Sequence, residues 1–255
     1  MKKSILTLAV FISFMANAQE LPKNFNELVK NIEPQLIGWR HHFHEFPELS
    51  NREFNTGKYI ADYLRTIGLE VKHPFAKTGV VAILKGNKPG PVIGLRADID
   101  ALPVTERAPI AFASKVKADY NGQQVNVMHA CGHDAHTAIL MATAKALKDM
   151  QKDLAGTVVF LFQPAEEGAP NNEEGGAQLM IKEGAMDVPK LEVVFGLHMA
   201  AQLPTGMLAY KSGAAQASSD LFKIVVNWDA IFWPGTVKRE TSSFMILLKN
   251  SSLVL

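Results

Sequence analysis

The chain has 255 residues, of which 47% are hydrophobic and 20% charged, enough to bury a sizeable core as one large domain or two small ones. Its 26 basic and 25 acidic residues leave a net charge of +1, which excludes a surface built to hold nucleic acid or an acidic membrane. A small-molecule substrate is the partner to expect.

The chain opens "MKKSILTLAVFISFMANAQE": two lysines, an apolar run from Ile5 to Met15, then Ala16-Asn17-Ala18. A charged start, a short apolar stretch and a small-x-small site make residues 1–18 a secretory signal peptide. The run falls short of the ~20 apolar residues a membrane span needs. The mature chain is therefore expected in the periplasm or outside the cell, with no membrane segment left after cleavage.

Residues 24–66 read as helical, interrupted at "FPELS" (46–50), where Pro47 breaks the pattern. "TGVVAILKG" (78–86) and "PVIGLRADI" (91–99) are β-branched runs bounded by Gly and Pro, hence strands. Asp134 is placed to cap a helix running to Met150, with Leu140, Ala144 and Leu147 on one face. "GTVVFLFQP" (156–164) has the continuous apolar character of a buried strand. A helix over about 176–186 and a strand "LEVVFGLHM" (191–199) follow. Helices alternating with apolar strands predict an α/β layer architecture around a mainly parallel sheet.

In such sheets ligands bind at the carboxyl ends of strands. "RADID" ends one predicted strand, Glu166 and Glu167 follow another, His198 closes a third, and "CGHDAH" enters a helix. The only cysteine, Cys131, lies in that last segment. A lone thiol in an exported chain is best protected as a metal-bound thiolate. Cys131 and His133, separated by one glycine, together with Glu167 and His198 supply S, N, O and N donors suited to Zn²⁺ or another first-row divalent ion. Sulfur can also bridge two ions. In "PAEEG" only one of two adjacent carboxylates can point along a given direction, so Glu167 is assigned to metal. Glu166 is assigned to proton transfer from water to the leaving amine. Asp100 is placed to orient a ligand from behind. His41, His42 and His44 share a helix with Arg40 and Glu45 and read as surface or helix-packing residues; His73 reads as surface. A rival chemistry makes Cys131 a nucleophile with His133 or His136 as its base.

Six segments carry a family resemblance: "WRHHFHEFPELSNREFNTGKYIADYLRTIGLEV", "GLRADIDALPV", "MHACGHDAHTAILMATAKAL", "VVFLFQPAEEG", "GGAQLMIKEG" and "VFGLHM". In this order they resemble the M20 metallopeptidases, in particular the amidohydrolase branch of hippurate hydrolases, N-acyl-amino-acid amidohydrolases and indole-acetyl-amino-acid hydrolases. The resemblance runs from about Ile37 to Val226. It implies two divalent ions (Zn²⁺, Mn²⁺, Co²⁺ or Ni²⁺) on Cys131, His133, Glu167 and His198, with Glu166 as general base and Asp100 as the supporting aspartate. It also implies cleavage of the amide in an N-acyl amino acid or a peptide-like substrate. The fold implied is a three-layer catalytic domain of the phosphorylase/hydrolase kind, interrupted in full-length members by a smaller lid that dimerises.

After "DLFKIVVN" the resemblance stops. "WDAIFWPGTVKRETSSFMILLKNSSLVL" contains no histidine and two of the three tryptophans. The expected organisation is therefore a signal peptide (1–18), an incomplete catalytic domain (19–219), and the start of a lid followed by an atypical, frameshifted or truncated tail (220–255). Measured against the full-length members that the resemblance implies, such a chain is expected to lack a ligand histidine and an oxyanion donor, the latter worth ~10²–10³ in rate. Weak activity, or a remnant that binds metal without turnover, is the alternative expectation.

Overall fold

The break at 46–50 divides the first helical stretch into α1 (Phe25–Glu45) and α2 (Phe54–Thr66). This computed structural model describes residues 24–187, 189–210 and 213, and the backbone of 220–226 and 242–248. The signal peptide expected over 1–18 lies outside the described residues, as does most of the segment 220–255. Two compact units divide the chain, Met1–Met199 and Ala200–Leu255.

In the first unit the elements continue as β1 (Glu70–Phe75), β2 (Gly79–Lys85), β3 (Lys88–Asp98), β4 (Lys117–Tyr120) and β5 (Gln123–Asn126). Then come α3 (His133–Asp149), β6 (Ala155–Gln163), α4 (Gly176–Lys182) and β7 (Val193–Gly196). In the second unit, β8 (Asp220–Val226) pairs antiparallel with β9 (Ser242–Leu248), Asp220 opposite Leu248. Among the described residues no helix is long and apolar enough to cross a membrane.

Five strands form the central sheet in the order β1-β2-β6-β3-β7. β3 runs parallel to both β6 and β7, with Leu95 opposite Phe160 on one side and Phe195 on the other. β1 and β2 add an antiparallel margin, so the sheet is mixed around a parallel centre. Val80, Ala82 and Leu84 alternate with Val81 and Ile83, and in β6 Val158, Phe160 and Phe162 alternate with Val159 and Leu161. The first set packs under Trp39 and Phe43 of α1, Ile60 and Leu64 of α2, and Met141 of α3. The second set packs on Met180 of α4 and on Ala185. Apolar contact on both faces explains the unbroken hydrophobic run of β6 and gives the three layers. Ile32, Leu36, Trp39 and Phe43 recur at the spacing of one helix face, which sets the side of α1 turned to the core.

Three strands, β1, β4 and β5, are not among the sequence expectations. β1 carries Pro74, which is tolerated because the strand lies at the sheet margin and pairs only with β2. β4 and β5 form a hairpin whose two-residue turn, Asn121-Gly122, has positive φ at both positions (50° and 82°). Elsewhere α4 ends at Lys182, and β7 covers only the middle of the apolar run at 191–199.

The chain between α1 and α2 is a buckle. Glu48 accepts the amides of Asn55 (3.2 Å) and Thr56 (2.7 Å), which satisfies the start of α2. Glu53 turns inward with no exposure. Its carboxyl accepts the Thr78 hydroxyl (2.6 Å) and the Ala165 amide (2.8 Å), tying β2 to the loop after β6. Burial outweighs those bonds and pushes Glu53 up from 4.5 to about 7. A folded state that holds its proton more tightly is stabilised fully below pH 4.5, and this contribution is lost as pH rises through about 7. The shift corresponds to about 3 kcal/mol. In Glu53→Gln, whose amide can donate to Thr78 and accept from Ala165, denaturant melts from pH 4.5 to 8 are expected to lose this downward slope. Parallel stability curves for the two proteins would refute it.

Candidate functional site

The carboxyl ends of the three parallel strands meet the start of α3. β3 delivers Asp98 and then Asp100, the loop after β6 delivers Glu166 and Glu167, and the chain beyond β7 brings His198. Cys131 and His133 flank Gly132, the N-cap of α3, whose φ of +90° lies in the left-handed region. A Cβ at 132 would meet Met199 Cβ at 2.9 Å, so backbone shape and the neighbouring chain both require glycine. The expected cap, Asp134, is not one: α3 starts with no side-chain cap bond. The Asp134 carboxylate instead bonds His44 Nδ1 (2.9 Å) and accepts from Arg40 Nε (3.3 Å).

His133 is at the centre. Its Nδ1 donates to the Asp100 carbonyl oxygen at 2.8 Å, with Asp100 Oδ1 at 3.4 Å, so Nε2 is the nitrogen that carries the lone pair once the ring is neutral. That Nε2 is buried without a hydrogen-bond partner. It faces Asp98 Oδ1 (3.5 Å), Glu166 Oε2 (3.7 Å) and Glu167 Oε1 (3.7 Å). Glu167 Oε1 is likewise buried and unpartnered. His198 donates from Nδ1 to the Met199 carbonyl (2.7 Å), which leaves its Nε2 toward Cys131 Sγ at 3.5 Å. Asp100 supports the arrangement from behind. Its Oδ2 accepts the Ser50 hydroxyl (2.6 Å) and the Glu167 amide (3.0 Å).

Three donor groups result, in each of which one ligand atom per residue lies within 4.8 Å of the others: Cys131 with His133 and His198, His133 with Glu166 and Glu167, and Asp98 with His133 and His136. The four residues expected as ligands thus converge, joined through His133, and Glu166 stands beside them.

The site is rich in carboxylates, and they set the titration of the groups among them. Burial, then Glu167, Glu166 and Asp98, push the Cys131 thiol up to about 12. Burial alone would lower His133, but Asp100 and Asp98 outweigh it and lift the ring to about 9. Burial also raises Glu167. A divalent ion would meet the unpartnered Nε2 and Oε1, convert the thiol to thiolate and replace the proton at His133. The mixed S, N and O donor set fits such an ion.

One residue here, Asp98, escaped the sequence reading, and another, His136, enters it only as a rival base for Cys131. Asp98, fully buried, meets His136 Nδ1 at 2.5 Å and Arg96 Nη1 at 2.7 Å. His136 Nε2 accepts the Met199 amide at 2.8 Å. The signals were spacing: Asp98 lies two residues before Asp100 in an extended segment, and His136 one helical turn beyond His133. Of the two roles expected for the α1 histidines, surface or packing, the structure shows packing. His44 is not at the surface: it is buried between Asp134 and Glu106 (2.7 Å). His41 stacks on Phe112 and His42 on Tyr59, both half-buried. His73 is half-buried in β1 and bonds the Gly79 carbonyl (3.1 Å). Beside Glu166 opens a cavity of about 770 Å³, lined in part by Arg96, Gln163, Glu173 and Lys182, of a size that admits an amino-acid derivative.

A family profile described as Peptidase family M20/M25/M40 matches residues 94–248. The chain is 42% identical to thermostable carboxypeptidase 2 of Saccharolobus solfataricus, over 82% of this chain and 50% of that protein. It is 41% identical to the N-acetyl-L-cysteine deacetylase of Bacillus subtilis (78% and 44% covered). It is 40% identical to the N-acyl-L-amino acid amidohydrolase of Geobacillus stearothermophilus (79% and 51%). Among solved structures, the Bacillus subtilis YXEP protein, a dinuclear metal binding peptidase, superposes with a TM-score of 0.67 at 42% identity, covering 78% of this chain and 51% of that one. The chain spans about half the length of the curated relatives it matches.

Proposed function

The chain belongs to peptidase family M20/M25/M40, and from that premise we propose that it carries the metal-binding and proton-transfer centre of an amidohydrolase that cleaves N-acyl amino acids. One observation carries the reading: His133 Nε2 and Glu167 Oε1, both buried and unpartnered, face each other across 3.7 Å. Leaving two such groups unsatisfied costs stability that a shared cation restores. The substrate class is supported by relatives named for N-acyl amino acids, N-acetylcysteine and indole-acetyl amino acids.

In this reading Cys131, His133, Glu167 and His198 hold two divalent ions of the Zn²⁺, Mn²⁺, Co²⁺ or Ni²⁺ type. When bound, the ions supply Lewis-acid polarisation of the scissile carbonyl and acidify the attacking water. Asp100 fixes His133 in the tautomer that offers Nε2. The more exposed Glu166 accepts the water proton as the oxygen adds to the carbonyl carbon. It returns that proton to the amine nitrogen as the carbon–nitrogen bond breaks.

The Cys131–His198 contact is a thiol–imidazole pair and so favours a nucleophilic reading, with His198 in place of the His133 or His136 expected as base. Against it stands a thiol held at about 12 among carboxylates, the reverse of an activated cysteine. The test is metal analysis of the purified chain together with hydrolysis of N-acetyl amino acids. Expected are bound divalent metal, protection of Cys131 from alkylation by that metal, and turnover that a chelator removes and Mn²⁺ or Zn²⁺ restores. Metal bound without turnover would identify a remnant. Turnover unaffected by chelator but abolished by alkylation would establish the thiol reading.

A further inference from the structure

His136 lies within 4.8 Å of Asp98 and His133 and has the appearance of one more metal ligand. Its hydrogen bonds argue otherwise. Nε2 accepts the Met199 backbone N–H at 2.8 Å, so the ring proton is on Nδ1, where it meets Asp98 Oδ1 at 2.5 Å. Neither nitrogen is left for an ion. Asp98 is itself held by Arg96 Nη1 (2.7 Å), Arg96 Nε donates to Gln163 Oε1 (2.9 Å), and the Thr137 hydroxyl donates to the Asp98 carbonyl (3.1 Å). The ring is buried and thus fixed at both ends.

What it fixes is the chain beyond β7. That strand ends at Gly196, so His198 is not on a ladder, and its side chain is exposed. Three contacts seat residues 198–199 at the start of α3: the close approach of Met199 to Gly132, the Met199 amide on His136, and the His198 ring packed edge-on against the His136 ring, centroids 4.9 Å apart. His136 thus holds the peptide that joins His198 to Met199, and His198 Nδ1 in turn bonds the carbonyl on the far side of Met199, so the ring is oriented by the residue whose N–H His136 fixes.

We propose that His136 is a positioning residue, not a ligand: through the Met199 amide it holds His198 Nε2 against Cys131 and so builds one side of the metal site. This rests on the metal-binding reading above, and the test separates the two.

Asparagine at 136 places a polar atom near the position of Nδ1 and can still meet Asp98, but it does not reach Met199. Glutamine places its oxygen near the position of Nε2 and can accept the Met199 N–H. Co²⁺ binding to the full chain reads the difference, because a cobalt–thiolate charge-transfer band reports Cys131 and the ligand-field bands report coordination geometry. Expected is a ~10–100-fold weaker Co²⁺ affinity with altered ligand-field bands in His136→Asn, as for loss of an outer-shell partner. His136→Gln is expected to keep wild-type affinity and spectrum. Metal-free thermal melts check that each variant folds.

A wild-type chain that binds no Co²⁺ would remove the metal reading itself. Wild-type affinity in His136→Asn would overturn the positioning role alone, as would a loss in His136→Gln equal to that in His136→Asn, which would make the imidazole the ligand. Should the asparagine variant fail to fold, the glutamine variant still decides: retained affinity supports the proposal and weakened affinity overturns it.

Discussion

His133→Ala is expected to lower divalent-metal affinity by more than the ~100-fold that marks loss of an outer-shell partner. His133 belongs to all three donor groups, whereas Cys131, His198, Glu166, Glu167, Asp98 and His136 each belong to one. Its Nδ1 proton is committed to the Asp100 carbonyl, so Nε2 is offered to a ligand with little freedom left to lose on binding. Removing the ring also removes the cationic partner of Asp98 and Asp100, whose carboxylates burial would otherwise raise. Equilibrium titration with Zn²⁺ or Co²⁺, read by calorimetry and metal content, checks it. His198→Ala is the control: exposed and in one group, it should lose less affinity than His133→Ala. Equal losses would mean that His133 is no more central than His198, and a His133→Ala chain that still takes up metal like the wild type would mean that His133 is not a ligand.

How much of this was legible depended on whether a residue's role is decided locally. β3 and β6 could be read because a strand covered on both faces must be apolar throughout, and 156–164 is. β1 could not, because Pro74 speaks against a strand until the sheet margin is known. The hairpin turn Asn121-Gly122 is a strong local signal, but its arms "KADY" and "QQVN" lack the apolar alternation that would have drawn attention to it. β7 was read too long, since the apolar run 191–199 does not reveal that pairing with β3 stops at Gly196. At the site, Cys131, His133, Glu166, Glu167 and His198 have metal-binding or acid–base chemistry and fall at predicted strand ends or a helix start, and that placement, with the family resemblance, brought them to notice. Asp98, His136 and His44 are ordinary residues in sequence. Asp98 becomes a support only opposite a ring 38 positions away, and His44 only opposite a carboxylate 90 positions away. Partners at such separations are set by the folded sheet, not by the local chain.

Glu166→Gln is expected to lower kcat for an N-acetyl amino acid by ~10²–10⁴-fold while leaving metal affinity unchanged. The separation of binding from chemistry follows from the backbone between the two acids. Ala165 sits at a φ of +49° with its amide on Glu53, and the Glu167 amide is held by Asp100, so the two neighbours are set in different directions. Glu167 buries Oε1 among the donors, whereas the Glu166 side chain keeps 35% exposure, open to the cavity through which a substrate and water would arrive. Glutamine matches glutamate in shape and still accepts a hydrogen bond, so it can hold the water. It cannot take the proton, and the amine nitrogen then leaves without one. Glu167→Gln should show the opposite profile, with metal lost first and rate lost in consequence. Steady-state kinetics beside metal content for the two variants discriminates them. Wild-type kcat in Glu166→Gln, or metal loss there equal to that in Glu167→Gln, would return both glutamates to the role of ligands and leave the proton without an acceptor.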